Sequence, residues 1–373
     1  MKVDLDVPTH VEFGRGELDR AGTHAKALGA HALVVTGRSA ARSHGYLDRV
    51  VASLESAGVR ATVFDRVSAN PRSDEVDEAT AAARARGCDL VVGLGGGSAL
   101  DAAKGVSVTA PAGGSVRDLI GVTLGAGAPR LPLLAVPTTA GSGSEVTKGA
   151  IITDTVRGFR AGIRGDAVFP HTAVVDPDLI ASVPRAVMAE TVFDSFAHAV
   201  EGCVAARADG ASRARAHEAI ALIAAHLPAV LRGEDSPEAR EALCRAALLG
   251  GVNVANVSTC LPHRLQQAMG ALPGVDLSHG RGLAVLYPSW LRHTAPLAPD
   301  EFAAVADLLG GDTVHDAVGG LLASAGLAAR LRDCGVARDD LPRLVDSVTG
   351  NLDNDPAGQV DRDRLFTLYA ESF

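Results

Sequence analysis

Asp194 and His198 stand four residues apart in FDSFAHAVEG, and two more histidines, His263 and His279, flank the turn-rich stretch LPHRLQQAMGALPGVDLSHG. On a helix that spacing puts a carboxylate and an imidazole on one face, one turn apart, where they can share a divalent ion. An Asp and a His so placed are more often just a polar helix face. With twelve histidines in the chain, two further ones downstream weigh little by themselves. The context adds weight: Phe193, Phe196, Ala197, Ala199 and Val200 surround the pair, and buried polar groups need partners, of which a metal is one. One carboxylate and three imidazoles leave a divalent ion with a net charge near +1 and room for a further ligand, as a Lewis-acid site requires. Such donors suit Fe(II), Zn(II), Co(II) or Mn(II).

A second chemistry is written in glycine. Gly95, Gly96, Gly97 and Ser98 follow the apolar run CDLVVGL and open a helical stretch with Asp101 and Lys104 in its first turns. Strand, glycines and helix in that order let backbone N–H groups approach a pyrophosphate with the positive end of the helix dipole behind them. A tight turn without ligand has the same composition. The usual dinucleotide fingerprint is not met, since Ser98 stands where the third glycine falls, and neither is GxxxxGK[ST]. A second small-residue loop, PTTAGSGSE from Pro137 to Glu145, also follows an apolar run and offers the hydroxyls of Thr138, Thr139 and Ser142. In a doubly wound sheet both loops lie at the carboxyl ends of strands, where ligands bind.

The elements that must position these groups alternate in the first half of the chain. HALVVTG, ATVFD, CDLVVGLGGG and LPLLAVP read as strands, with helices near Leu18 to Leu28, Tyr46 to Ala57, Glu75 to Arg86 and after Ser98, and KVDLDVPTHVEFG as an N-terminal strand or hairpin. GAIITD and TAVVDPD read as further short strands separated by a basic, glycine-containing segment. From Pro184 onward helical periodicity rich in Ala and Leu takes over. The expected architecture is an α/β, doubly wound, mainly parallel, Rossmann-like domain over residues 1–183 and an all-helical domain over residues 184–373. The 373 residues suffice for two hydrophobic cores. A net charge of -9 argues against nucleic acid as a partner. The five cysteines form no CxxC pair and read as small buried hydrophobes of a reducing compartment. Neither a signal peptide nor a run of about 18 apolar residues is visible, so a cytoplasmic protein is expected.

The same stretches carry a resemblance. GGGSALDAAK, PTTAGSGSEVT, VVDPDLIASVP, FDSFAHAVEG and HRLQQAMGALPGVDLSHGRGLAVLYP are similar to successive motifs of the iron-containing (group III) alcohol dehydrogenase family, over nearly the whole length. The resemblance implies the dehydroquinate synthase-like architecture of that family and a metal-dependent, NAD(P)H-linked alcohol dehydrogenase or aldehyde reductase. It implies that Asp194, His198, His263 and His279 bind the metal, Fe(II) foremost and Zn(II) as the alternative. It also implies that Gly95, Gly96, Gly97, Ser98, Thr138 and Thr139 hold the nicotinamide cofactor, with Asp101 shaping the loop and Leu179 beside the adenosine. Arg160 falls near a lysine said to approach the cofactor. A homodimer is implied, in which the N-terminal strand pairs across subunits.

Three departures shape the expectations. Where the family often has HxxxH, the second position is Gln267, which exchanges no proton near neutral pH. The span from His263 to His279 is longer than is common, with the extra length at the Pro273-Gly274 turn. After the first strand, where NAD-preferring members commonly carry Asp, the chain has Gly37 and Arg38, which favours the 2′-phosphate of NADP(H). Arg264, Arg281, Arg292 and His293 flank the proposed site and suit an anionic substrate such as a carboxy or phosphono aldehyde. Two rival readings are a dehydroquinate synthase-like lyase or cyclase using NAD transiently, and a non-catalytic nucleotide-binding protein with a degenerate metal site.

Overall fold

The runs HALVVTG and LVVGLG, apolar at nearly every position, suit strands covered on both faces. In the computed structural model, which describes residues 2–3, 5–270, 272, 275 and 277–373, they are neighbours in a seven-stranded sheet. The chain divides into two units, Met1–Thr139 with Gly143–Val183, and Ala140–Ser142 with Pro184–Phe373.

The strands of the first unit are β1 (Lys2–Val3), β2 (His10–Phe13), β3 (His31–Gly37), β4 (Arg60–Val67), β5 (Leu90–Gly95), β6 (Leu133–Pro137), β7 (Gly149–Asp154), β8 (Phe159–Arg164) and β9 (Thr172–Val175). The sheet runs β1-β2-β9-β6-β5-β3-β4, with β1 antiparallel to β2 and every other neighbouring pair parallel. Parallel neighbours need long crossovers. Here these carry the helices α1 (Ala21–Lys26), α2 (Ala40–Ser43), α3 (Tyr46–Ser56), α4 (Ser73–Arg86) and α5 (Gly97–Ala112). The pleat splits β3 between two cores. Leu33 and Val35 join Val76 and Ala79 of α4 and Ala103 and Val106 of α5, whereas Ala32 and Val34 join Leu47, Val50 and Leu54 of α3.

Two local expectations change. The helix expected from Leu18 to Leu28 is a 3-10 turn, Glu17–Arg20, followed by the short α1; the Leu18 amide is drawn off to the Asp176 carboxylate at 3.1 Å. The basic segment after GAIITD is itself a strand, β8, which pairs antiparallel with β7 in a hairpin outside the main sheet. Phe159, Ala161 and Ile163 alternate there with Arg160, Gly162 and Arg164. Period two is present, and the arginines disguise it.

The second unit contains α6 (Arg185–Val204), α7 (Gly210–Leu231), α8 (Pro237–Val257), α9 (Leu261–Met269), α10 (His279–Thr294), α11 (Pro299–Leu309), α12 (Val314–Ser324), α13 (Leu341–Ser347) and α14 (Arg362–Ser372), and no strand among its described residues. Local signals start these helices. Asp209 accepts from the Ser212 amide at 2.7 Å and Ser236 from the Ala239 amide at 3.1 Å, caps worth about 1 kcal/mol each. Every residue of α6 from Val192 to Val204 is buried, so this helix is the axis of the unit. Tyr287 of α10 packs edge-on against Phe193 at 5.3 Å and donates to the Ala197 carbonyl. Gly280 permits the close approach of α10, because a Cβ there would fall 1.9 Å from the Glu190 carbonyl oxygen. Among the described residues no helix is long and apolar enough to cross a membrane.

Candidate functional site

Three helices of the second unit bring Asp194 and His198 (α6), His263 (α9) and His279, the first residue of α10, to one point. The Nε2 atoms of His279, His198 and His263 lie 3.4, 3.5 and 3.5 Å from Asp194 Oδ1. The donor atoms of Asp194, His263 and His279 all fall within 4.8 Å of one another. The His198 and His263 rings stack with centroids 4.7 Å apart. Separations of 3.4 to 3.5 Å are long for hydrogen bonds. Donor atoms about 2.1 Å from one tetrahedral ion lie about 3.4 Å apart. Asp194 Oδ1 and His263 Nε2 are moreover buried without a hydrogen bond. The residues therefore fit a divalent ion, which accounts for polar atoms that would otherwise be orphaned.

Two neighbours turn the rings. His263 Nδ1 lies 2.7 and 2.8 Å from the two carboxylate oxygens of Glu201, and His279 Nδ1 donates to Gln266 Oε1. A proton held at Nδ1 leaves the Nε2 lone pair facing Asp194, the tautomer that metal ligation needs. Glu201 is wholly buried and also accepts from the Cys260 amide at 2.6 Å. Neither Glu201 nor Gln266 stands out in the sequence reading. Glu201 had a signal, since it follows Asp194 by seven residues on an otherwise apolar helix and so returns to the same face. Gln266 had none beyond its place beside Gln267.

The buried cluster shares its charge unevenly. Burial pushes the His198 pKa down to about 3, against the pull of Asp194. Burial also opposes charge on His263, yet Glu201 and Asp194 outweigh it and raise that pKa to about 9. Asp194 is held well below the usual carboxylate range: burial alone would raise it, and the surrounding imidazoles, His198 first, prevail. Glu201 and Asp194 thus favour a proton on His263 in the ion-free cluster, and ion binding there is expected to compete with it. Binding Zn(II) at pH 7 is expected to release about one proton, with affinity climbing about tenfold per pH unit as far as about pH 9. Calorimetry in buffers of differing protonation enthalpy checks this; binding without proton release contradicts it.

Gln267 lies one turn beyond His263 on α9, and its Oε1 accepts from Arg264 Nη1 at 3.2 Å. Arg264 is buried and also donates to Thr259 Oγ1 at 2.8 Å and Ser258 Oγ at 3.3 Å. Arg281 is 3.8 Å from Glu190, while Arg292 and His293 share Glu371 at 2.9 and 3.0 Å. The Pro273-Gly274 turn lies outside the described residues.

In the first unit the glycine turn sits at the carboxyl end of β5. Gly95 has φ +147°, open to glycine at no steric cost. A Cβ on Gly96 would come 3.3 Å from Thr139 Oγ1, and the Thr138 amide donates to the Gly95 carbonyl at 3.1 Å. Gly97 opens α5, and Ser98 Oγ accepts from the Asn70 amide at 3.2 Å. Asp101 accepts from Ser144 Oγ at 2.7 Å and the Ile151 amide at 2.9 Å. Buried Lys104 donates to Thr147 O, Thr147 Oγ1 and Gly149 O at 2.9, 2.9 and 2.8 Å. Both residues thus tie α5 to the second loop and the chain that follows it. Thr36 of β3 pairs with Leu94 of β5, which puts Gly37 and Arg38 beside the glycine turn. Burial raises the Asp101 carboxyl above its ordinary range, against the pull of Lys104 and, more weakly, of Arg160, which lies on β8 opposite Thr153. Leu179 is fully buried in the core with its carbonyl accepting from Tyr46 Oη at 3.1 Å, and Ser142 groups with the helical unit.

Residues 8–177 match the family described as iron-containing alcohol dehydrogenase, and residues 188–373 match the Fe-containing alcohol dehydrogenase family, C-terminal. The chain belongs to the iron-containing alcohol dehydrogenases. It is 32% identical over 369 residues to the 1,3-propanediol dehydrogenase of Citrobacter freundii, covering 95% of this chain and 94% of that one. It is 29% identical over 382 residues to the sulfoacetaldehyde reductase of Bilophila wadsworthia, covering 97% of each. The crystal structure of a 1,3-propanediol oxidoreductase superposes with a TM-score of 0.92 at 31% identity, covering 100% of both chains. As an iron-containing alcohol dehydrogenase, the chain is an oxidoreductase of alcohols and aldehydes in a family that uses NAD(P) and iron or another divalent metal.

Proposed function

We propose that the chain reduces a small anionic aldehyde with NAD(P)H, using an ion held by Asp194, His198, His263 and His279, with Fe(II) first among the candidates. The observation that carries the reading is the convergence of three imidazole Nε2 atoms on one buried, unbonded carboxylate oxygen. A divalent ion there supplies Lewis acidity toward a substrate oxygen, and a bound dihydronicotinamide supplies hydride. Asp194 contributes the one negative charge among four donors, so the centre keeps its positive charge for the substrate. Glu201 and Gln266 hold two rings in the binding tautomer. Gln267 exchanges no proton. Because Arg264 is a pure donor and occupies its Oε1, its amide hydrogens are the end left to orient a substrate oxygen or the water that delivers the proton.

The cofactor is assigned to Gly37, Arg38, Gly95, Gly96, Gly97, Ser98, Asp101, Thr138, Thr139, Ser142, Arg160 and Leu179, with NADPH favoured by Arg38, and the active form is taken to be a homodimer. An anionic substrate is supported by the likeness to a sulfoacetaldehyde reductase. The test is a panel of short aldehydes, neutral or bearing carboxylate, phosphonate or sulfonate, offered with NADH and with NADPH to protein loaded separately with Fe(II) and Zn(II). The anionic members are expected to exceed neutral ones of equal length at least about tenfold in kcat/KM, the scale of a charge-assisted contact. Neutral aldehydes turning over faster would remove the substrate class; no cofactor oxidation anywhere in the panel would remove the reductase.

A further inference from the structure

Arg38 does not stand alone at the edge of the sheet. Its Nη2 lies 3.0 Å from Glu75 Oε1, and its Nε donates to the Arg66 carbonyl at 3.4 Å. Glu75 is in the first turn of α4, and its other oxygen accepts from the Ser68 amide at 3.1 Å, Ser68 Oγ at 2.9 Å and the Arg72 amide at 3.4 Å. The carboxylate side chain is 11% exposed and the guanidinium side chain 66%. Glu75 is therefore the fixed partner, pinned by several donors at a helix N-terminus where negative charge is favoured. Arg38 is the exposed one. The nearby cations are already matched, Arg42 to Asp65, Arg66 to Glu78 and Arg72 to Asp74.

In an open parallel sheet the residue at this strand end meets the adenosine ribose of a dinucleotide, a carboxylate accepting from the 2′-hydroxyl and an arginine taking a 2′-phosphate. We infer that Glu75 is the residue that sets how strongly this chain distinguishes NADPH from NADH. The inference rests on the dinucleotide-binding reading of this sheet edge. A 2′-phosphate that reaches Arg38 also meets the Glu75 carboxylate bonded to the same guanidinium, and like-charge repulsion offsets part of the attraction. A 2′-hydroxyl carries no charge and is not repelled by it. Glu75 thus restrains the preference for the phosphorylated cofactor that Arg38 alone would confer, and the site accepts both forms.

The experiment is a calorimetric titration of the full chain with ADP-ribose and with its 2′-phosphate, ligands that need neither metal nor turnover. Glu75→Gln is expected to tighten the 2′-phosphate about tenfold and to leave ADP-ribose within about threefold, and Arg38→Ala in the same background removes the gain. Arg38→Ala alone, an exposed substitution that leaves the fold intact, is expected to cost the 2′-phosphate only about threefold. A loss above about tenfold in that single variant would mean that Arg38 is already fully available, and would overturn the role of Glu75 even if Glu75→Gln did not fold. The role also falls if Glu75→Gln shifts both ligands alike, or if its gain survives the removal of Arg38. Failure of the wild type to bind either ligand overturns the dinucleotide reading itself.

Discussion

His263→Ala is expected to empty the proposed centre of its ion and to lower kcat about a thousandfold or more, a larger effect than the removal of a single transition-state hydrogen bond. His263 is buried, stacks on His198, and is the one imidazole of the cluster that touches both Asp194 and Glu201. Its removal withdraws one of four donors and at the same time takes away the imidazole that faces the Glu201 carboxylate, leaving it, among the described residues, the Cys260 amide alone. Stranding a buried charge costs about 3 to 5 kcal/mol, so the alanine variant is also expected to melt earlier. His263→Gln separates the two effects. A glutamine amide still donates to Glu201 but does not replace the imidazole as a ligand, so this variant is expected to lose ion and turnover while recovering part of the melting temperature. Metal analysis of the purified variants, a thermal melt and kcat form the measurement. An alanine variant that keeps both its ion and full turnover would end the four-ligand reading.

How much of this was legible in the chain depends on whether the signal was local. The parallel strands were legible because a strand covered on both faces must be apolar throughout, as HALVVTG and LVVGLG are. The shared face of Asp194 and His198 follows from helical spacing. The meeting of His263 and His279 with that face does not, because it depends on how α9 and α10 pack on α6, and Gly280 is its one visible trace. Strand β8 went unread because its alternating apolar residues are interleaved with arginines. In the sequence Arg38 stands as an open cation, because its partner Glu75 is supplied by another element, through a loop that Ser68 and Arg72 fold around the carboxylate. Glu201 is silent in the sequence for a related reason. A glutamate in a helix is ordinarily a solvent-facing residue, and only complete burial shows that this one faces inward.

That burial makes Glu201 the second site of large expected effect, and its two substitutions should part company. Glu201→Gln keeps the shape and one acceptor but removes the charge that stabilises a proton or partial positive charge on His263. It is expected to weaken the ion about 10- to 100-fold, the range for carboxylates that hold a ligating histidine, while the ion-saturated variant keeps kcat within a few-fold. Glu201→Ala removes the acceptor as well. The Cys260 amide and His263 Nδ1, which both meet Glu201 now, are then buried without partners, and the start of α9 loses its tie to α6. This variant is expected to lose about 3 to 5 kcal/mol of stability, as breaking a buried ion-paired contact from one side does. Competition against a chelator reads the first effect and denaturant unfolding of the ion-free protein the second. Gln266 offers the internal contrast, for it bonds His279 without charge, so Gln266→Ala should loosen the ion less than Glu201→Gln does. An ion held as tightly by Glu201→Gln as by the wild type would mean that the charge of Glu201 serves only the packing of α9 on α6, and that the affinity of the centre is set by its four donors alone.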